Sequence, residues 1–286
     1  MATRIVPIYR PRVFDVRILR ELAQLIVLFA LVGGGVYAAW RFWPSHHGTK
    51  QGTSHDDTAL LAGTEGRLRD LVRKEVTLDA VRDPGVTEVV RQIHERLQLA
   101  ERKLPYPIEI YVIDSPTINA VCLPGGIIVV YSGLIRRLEA PEELAAILAH
   151  ESAHAIHHDS MHALERELGI AAIFTLAGGR SDALTTRLLR RLIGSGFSRQ
   201  QESDADHEAE RVLGASDIDP GMLAEALRHI RQVEGDDSAV LQYLSTHPDI
   251  DSRIKTSEAI SAAWKGKARP LEVEWKQFRA QFRMLK

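Results

Sequence analysis

The sequence has few of the residues on which several protein classes depend. It contains one cysteine, Cys122, among 286 residues, so no intrachain disulfide can form and a cysteine-rich zinc site is excluded. It also lacks a basic excess, since 36 lysines and arginines stand against 38 aspartates and glutamates. That balance argues against a nucleic-acid partner. Apolar residues make up 45% and charged residues 26%, which is typical of a globular chain and excludes a multi-span membrane protein.

Long uncharged runs are scarce, and the one that stands out lies near the N-terminus. Residues 22–40 read LAQLIVLFALVGGGVYAAW, close to the roughly 20 residues that a membrane-spanning helix needs. Residues 1–21 carry five arginines, and Trp40, Phe42 and Trp43 follow the run. This pattern predicts a basic cytoplasmic tail, a membrane anchor at 22–40, and a remainder on the other side of the membrane. A cleaved signal peptide and a buried core helix are the alternatives.

The residues beyond the anchor predict a linker and one domain. Residues 41–58 are polar and contain glycine, serine and proline, as linkers do, and residues 59–286 form the domain. Apolar residues at helical spacing and β-branched runs place its secondary structure. Helices are expected at 59–77, 85–102, 141–158, 161–178, 182–195, 199–213, 219–233, 250–264 and 271–284, and strands at 108–113, 117–123 and 127–131. The predicted fold class is α+β: mainly helical, with one small antiparallel sheet.

The chemistry is concentrated at residues 150–154, which read His-Glu-Ser-Ala-His. On a helix, His150 and His154 lie on one face, one turn apart. Two imidazoles in that arrangement can hold a zinc ion, and Glu151 beside them can act as a general base on a water molecule. A helix is predicted here independently, because Pro141 suits its first position and acidic residues follow.

A catalytic zinc ion usually takes three protein ligands, so a third is expected downstream. Glu202 and Asp206 are four residues apart on one face of a predicted helix. Glu202 is the candidate third ligand, and Asp206 could accept a hydrogen bond from a ligand imidazole. An acidic, solvated helix face is the alternative interpretation of this stretch.

Four motifs in order resemble those of the HtpX-like and BepA-like membrane-associated zinc metallopeptidases, relatives of the CAAX prenyl endopeptidase. They cover roughly residues 60–260. The motifs are Asn119-Ala120 with Leu123-Pro124-Gly125-Gly126, the segment His150 to His154, Ser198-Arg199 with Glu202-x-x-Ala205-Asp206, and Thr246-His247-Pro248 with Arg253-Ile254.

The resemblance implies a gluzincin-type fold, one Zn²⁺ per chain and endopeptidase activity. It implies that His150, His154 and Glu202 bind the metal, that Glu151 is the base, and that Asp206 supports a ligand. It also assigns His247 to the site, either as a ligand in a resting state or as a stabiliser of the transition state. Val121 departs from the family, which often has an aromatic residue there, so the shape of a substrate pocket is open. A single anchor favours a BepA-like or OMA-like arrangement over an HtpX-like one.

These inferences combine into a functional expectation. The chain is expected to be a single-pass protease of the inner (cytoplasmic) membrane whose domain faces the periplasm and cleaves unfolded or misassembled envelope proteins. A mitochondrial intermembrane location stays open, and the sequence does not determine the oligomeric state. We expect the substrate to pair with an edge strand at Ile127–Tyr131, and to contact Gly126, Ile127, Ile128 and Val129. The alternative is a catalytically quiet, zinc-stabilised chaperone or binding module.

Overall fold

The structure is a computed structural model that describes residues 55–97, 106–168, 196–232, 243 and 245–282. The predicted tail and anchor at 1–40 and the predicted helix at 182–195 lie outside these ranges. The chain divides into two compact units, residues 1–53 and 54–286, and all described residues belong to the second. Within those residues, no helix combines the length and the apolar character needed to cross a bilayer.

The described ranges contain nine helices and three strands. In chain order these are α1 (His55–Asp79), α2 (Pro84–Glu95), β1 (Glu109–Ile113), β2 (Ala120–Leu123), β3 (Ile127–Tyr131), α3 (Ser132–Arg137), α4 (Pro141–Ile156), α5 (Asp159–Leu168), α6 (Arg199–Ala215), α7 (Met222–Arg231), α8 (Ile250–Ala263) and α9 (Trp275–Gln281). The mainly helical α+β class is therefore confirmed. Two elements differ most from the prediction: α1 begins inside the expected linker, and the short helix α3 was not expected. Other elements have ends a few residues from their predicted bounds, as at the start of β2 and of α9.

Local sequence signals explain where helices begin. The Asp83 carboxylate accepts hydrogen bonds from the backbone N–H groups of Gly85 and Val86, at 2.8 and 3.1 Å, and Pro84 occupies the first position of α2. Proline is favoured there because that N–H has no partner within the helix. Asp83 and Pro84 together therefore set the start of α2.

The sheet is mixed, which corrects the expectation of a purely antiparallel one. Strands β2 and β3 form the predicted antiparallel hairpin, whose turn has positive φ at Gly125 and Gly126. Such values are readily adopted only by glycine. Strand β1, however, pairs with β3 in parallel, and the order is β1-β3-β2. The hairpin folds back so that β3 enters between the two earlier strands.

This order corrects the expectation that Ile127–Tyr131 is an edge strand. The strand is central, because β1 and β2 both bond to it. Its main-chain groups are already used on both sides, so no polypeptide can pair along it. The reason for assigning substrate contacts to Gly126, Ile127, Ile128 and Val129 is thereby removed. On the hairpin side the edge strand is β2, with which no further strand pairs among the described residues.

Hydrophobic clusters cover the two faces of the sheet. One joins Ala120, Ile128 and Val130 to the apolar residues of α4. The other joins alternate residues of the hairpin to α1 and α5, and its members include Val121, Leu123, Val129, Leu68, Val72, Met161 and Leu164. Alternation is expected because successive strand residues point to opposite faces. The sheet therefore supports α4 from one side while α1 and α5 cover the other.

The aromatic residues of the C-terminal helix complete the first cluster. Trp275, Phe278 and Phe282 are at most 6% exposed, and Trp275 Nε1 donates a hydrogen bond to the Leu138 carbonyl at 3.2 Å. These three aromatic side chains therefore pack in the core.

Candidate metal centre

The candidate site is built on α4, which is buried over almost its whole length. Pro141 occupies its first turn, as predicted, and the Glu143 carboxylate accepts the N–H of Ala140 at 3.1 Å. Because α4 lies between the sheet and other helices, its polar residues have no solvent to face. His150, Glu151 and His154 are each 0% exposed. Polar groups are rarely buried in this way unless they have partners or a function.

Helix α6 packs against α4 and supplies the carboxylates. It begins with a reciprocal cap: Gln201 N donates to Ser198 Oγ at 3.3 Å, and Ser198 N donates to Gln201 Oε1 at 3.1 Å. Glu202 and Asp206, one turn apart, face α4 and are 1% and 6% exposed. The alternative of a solvated acidic face does not hold for these two residues, whereas Asp204 between them is exposed.

Four potential metal ligands converge between these helices. One ligand atom from each of His150, His154, Glu202 and His247 lies within 4.8 Å of the other three. The Nε2 atoms of His150 and His154 are 3.1 Å apart, and oxygens of Glu202 lie 3.6 and 3.4 Å from them. The donors around a tetrahedral zinc ion, with bonds of about 2.0–2.1 Å, are separated by about 3.3 Å. The spacing of these donors therefore suits one such ion.

The outer nitrogens of both imidazoles are held by carboxylates. Asp206 Oδ1 lies 2.8 Å from His150 Nδ1, and Asp159 Oδ2 lies 2.8 Å from His154 Nδ1. A carboxylate partner fixes an N–H on Nδ1 and turns the Nε2 lone pair inward, as in many zinc proteins. Two inward lone pairs and a carboxylate at such short range repel one another unless a cation lies among them. The donor set thus fits a metal ion on chemical grounds.

Protons compete for the same Nε2 atoms. Burial disfavours a charged His154, but the hydrogen bonds that the carboxylates of Asp159 and Glu202 accept from its imidazole outweigh burial and raise the pKa of His154 to about 9. Burial and the nearby Arg253 guanidinium lower the pKa of His150. The pKa of Glu202 falls well below its ordinary value, since the charges and hydrogen bonds of His247, His154 and Arg253 outweigh its burial.

Glu151 and His247, the latter a member of the donor cluster, both have buried polar atoms without a hydrogen-bond partner. Among the described residues, neither Glu151 carboxylate oxygen has a hydrogen-bond partner, and neither does His247 Nε2. His247 Nε2 lies 3.6 Å from Glu151 Oε1, while its Nδ1 lies 3.1 Å from Glu202 Oε1. The Tyr243 ring stacks on His247 at 4.7 Å. A buried carboxylate without a partner is costly, which marks Glu151 as a residue kept for a purpose other than stability.

Three residues of this centre were not assigned by the sequence. Asp159 follows the histidine pair after a turn. Arg253 donates two hydrogen bonds to Asp206, at 2.7 Å each, and also contacts Glu202. The Phe197 ring stacks on His154, with ring centroids 3.9 Å apart. Arg253 lies in the fourth of the family motifs, and an arginine that is buried needs anionic partners, which could have pointed to Asp206 and Glu202. The spacing of Asp159 and Phe197 along the chain does not indicate a place in the site, because both reach it through chain turns.

Strand β2, all of whose residues are buried, packs against α4, the helix that carries the general-base candidate. Burial, and after it the charge of Glu151, raises the pKa of the Cys122 thiol. Tyr131 N donates to the Asn119 carbonyl at 3.1 Å. Because antiparallel bonding alternates, Asn119, Val121 and Leu123 bond inward to β3. The main-chain groups of Ala120 and Cys122 therefore point outward, away from the sheet.

Comparisons with known proteins agree with this arrangement. The family profile described as Peptidase family M48 matches residues 82–261. The mitochondrial metalloendopeptidase OMA1 of Schizosaccharomyces pombe is 32% identical over 154 residues, which cover 52% of this chain and 45% of the relative.

Bacterial relatives are similar over a longer stretch. The beta-barrel assembly-enhancing protease of Yersinia pestis is 27% identical over 82% of this chain and 51% of its own length, and that of Escherichia coli K12 is 27% identical over 71% and 45%. The chain thus spans about half the length of these curated relatives. Since the profile covers more than half of the chain and includes the whole donor cluster, the chain belongs to peptidase family M48.

Proposed function

We propose that this chain is a zinc-dependent endopeptidase whose metal ligands are His150, His154 and Glu202. The observation that carries the proposal is the buried Glu151 carboxylate, which faces the donor cluster and makes no hydrogen bond within the described part of the chain. A structural zinc site is closed and needs no base. A free carboxylate beside three ligands is what peptide hydrolysis requires.

The metal ion, when bound, supplies Lewis-acid chemistry: it polarises the scissile carbonyl and makes a water molecule more acidic. The protein groups do the rest. Glu151 accepts a proton from the attacking water and delivers it to the nitrogen of the leaving amine. Asp206 and Asp159 hold the imidazoles of His150 and His154 in the orientation that keeps Nε2 on the metal.

His247 has two candidate roles in this reaction. In the first it occupies the remaining metal position at rest and keeps the enzyme quiet. In the second its Nε2, which faces Glu151 at 3.6 Å, donates to the oxyanion of the transition state. Both roles use the same buried nitrogen, and kinetics of a variant separate them.

The substrate is proposed to pair with β2, which replaces the earlier assignment to β3. The outward main-chain groups of Ala120 lie on the strand that packs against α4, the helix of Glu151, and an extended chain adding to a sheet edge gains affinity from backbone hydrogen bonds. The buried Asn119 amide, which has no partner among the described residues, stands at the start of this edge. Backbone pairing makes few demands on sequence, but it requires a segment that is flexible or unfolded.

The proposed setting follows from the segments outside the described residues. Residues 22–40 anchor the chain in the inner membrane, residues 1–21 stay in the cytoplasm, and residues 59–286 form the protease domain on the periplasmic side. The natural substrates are unfolded or misassembled envelope proteins. The bacterial relatives named as beta-barrel assembly-enhancing proteases support this choice.

The test compares wild-type protein with Glu151→Gln. The full chain is purified, its zinc content is measured, and digestion of fluorescently labelled casein is followed with and without a chelator. Wild type should cleave casein in a chelator-sensitive way, and Glu151→Gln should retain zinc but lose activity, because the base is removed and the ligands are not.

Asp204→Asn is the matched control, since Asp204 is an exposed carboxylate on α6, and it should behave as wild type. Casein cleavage by Glu151→Gln at the wild-type rate would contradict the mechanism. A zinc-loaded wild-type protein that binds unfolded casein without cleaving it would instead favour the chaperone or binding module.

A further inference from the structure

Ser160 makes an unusual contact with the edge of the sheet. It lies in the first turn of α5, is 6% exposed, and its hydroxyl donates a hydrogen bond of 2.6 Å to the Cys122 carbonyl. That carbonyl is one of the outward groups of β2. A helix residue therefore already donates to a carbonyl that an added strand would use.

The neighbours of Ser160 hold this contact in place. Asp159 bonds to His154 on the metal helix. His158 Nδ1 lies 2.9 Å from a Glu65 oxygen, and the other oxygen of Glu65 accepts the N–H of Gly125 at 3.1 Å. Three consecutive residues thus tie together α4, the edge strand and the hairpin turn. Ser160 is therefore fixed relative to both the donor cluster and β2.

The contact shortens the edge that is available for pairing. Outward groups on β2 come from every second residue, which are Ala120 and Cys122. The next outward position is Pro124, which has no N–H to donate. With the Cys122 carbonyl bonded to Ser160, three outward main-chain groups of the strand have no hydrogen-bond partner among the described residues: the N–H and carbonyl of Ala120 and the N–H of Cys122.

We propose that Ser160 is a specificity-determining residue that ends main-chain recognition of the substrate at Cys122. This inference rests on the proposed function, namely cleavage of a polypeptide that pairs with β2. In antiparallel pairing, the substrate residue opposite Cys122 lies two positions before the one opposite Ala120. The earlier residue accepts a hydrogen bond from Cys122 N but donates none, so the ladder stops there and the substrate is gripped over a short stretch.

The experiment uses peptides in which single amides are replaced by esters. Replacing an amide by an ester removes one N–H donor with little change in shape. A peptide that wild-type protein cleaves, identified by mass spectrometry of casein digests, is synthesised with an ester at each position in turn except the scissile bond. The ratio kcat/KM is measured for wild type, Ser160→Ala and Ser160→Thr, the last being the control that keeps the hydroxyl.

The ester opposite Ala120 should lower kcat/KM in all three proteins by about two- to tenfold, the effect of one neutral hydrogen bond. The ester two positions earlier should have no effect in wild type or Ser160→Thr, but should cost a similar factor in Ser160→Ala, whose Cys122 carbonyl is free. An equal penalty at that position in wild type would overturn the proposal, as would its absence in Ser160→Ala. Insensitivity to every ester would instead contradict pairing with β2, and the proposed substrate mode with it.

A second measurement does not depend on how well Ser160→Ala folds. Cys122 is the one cysteine of the chain, so carbonyl-¹³C cysteine places a single label at the carbonyl in question. Isotope-edited infrared spectra are recorded for zinc-loaded Glu151→Gln protein with and without the same peptide. An unchanged ¹³C carbonyl band on binding supports the proposal, whereas a shift to lower frequency shows that the substrate reaches this carbonyl and refutes it.

Discussion

Asp159 is the residue whose removal tests the architecture of the metal centre most directly. Its carboxylate is 4% exposed and has two partners: His154 Nδ1 at 2.8 Å and the side-chain amide of Gln201, which donates at 2.6 Å. It thereby connects a ligand on α4 to the first turn of α6. In Asp159→Asn the imidazole of His154 loses the anionic partner that orients it, while His154 itself, the proposed metal ligand, is kept.

The expected loss of zinc affinity is about 10- to 100-fold, the usual effect of removing such a partner. The size of this loss of zinc affinity should increase with pH. In wild type the pKa of His154 is raised to about 9, partly by Asp159, so a proton competes with the metal throughout the neutral range. Losing Asp159 lowers that pKa and weakens the competition. The loss of affinity should therefore be larger at pH 9 than at pH 7.

Zinc affinity can be measured by competition with a chromophoric chelator at both pH values. Asp204→Asn, which alters an exposed carboxylate on α6, serves as the control. Thermal unfolding of the metal-free proteins separates local from global effects, because the lost hydrogen bonds should cost about 2 kcal/mol of stability. Equal zinc affinity of Asp159→Asn and wild type at pH 9 would refute the role assigned to Asp159.

Three further outcomes are expected. Glu202→Ala should lose both zinc and activity, whereas Asp204→Ala should keep both; metal analysis of the two purified variants decides, and full zinc occupancy in Glu202→Ala would remove Glu202 from the ligand set. His247→Ala should raise basal casein cleavage if His247 is a resting ligand, but should reduce turnover by about 100-fold if it stabilises the oxyanion; unchanged rate and zinc affinity would exclude both. Glu210 is 4% exposed and burial raises its pKa to about 7, so its neutral form stabilises the fold at low pH and that contribution is lost as pH rises from about 4.5 to 7. Between pH 5 and pH 7.5 the free energy of unfolding, measured with urea, should fall by about 2 to 3 kcal/mol more in wild type than in Glu210→Gln. If the two proteins show the same pH dependence, Glu210 does not titrate in this range.

The helices and the core of the site could be predicted because their signals are local. The four-residue spacing of His150 and His154 and the same spacing of Glu202 and Asp206 each fix a helix face by backbone geometry alone. The proline and acidic residues at the start of α4, and the cap at Asp83, act on the nearest N–H groups. Interactions within one helical turn can be inferred from residues that are adjacent in the chain.

Long-range pairing could not be predicted in the same way. The short glycine turn explains why β2 pairs with β3, but the parallel partner β1 and the central position of β3 depend on which strand enters between the others. The sequence of Ile127–Tyr131 suits a strand with one or two neighbours equally, so it did not exclude an edge. The expectation that this strand is an edge was wrong for that reason.

The residues that complete the metal centre mark the same division. Sequence alone placed His150, Glu151 and His154 within one helical turn, and Glu202 and Asp206 on one face of another helix. Only the tertiary structure decided that Asp159 orients His154, that Arg253 bridges Asp206 and Glu202, and that Ser160 bonds to the Cys122 carbonyl 38 residues earlier. These contacts join separate elements through turns and side-chain reach, and no spacing rule along the chain encodes a distance that is set by the packing of one helix against another.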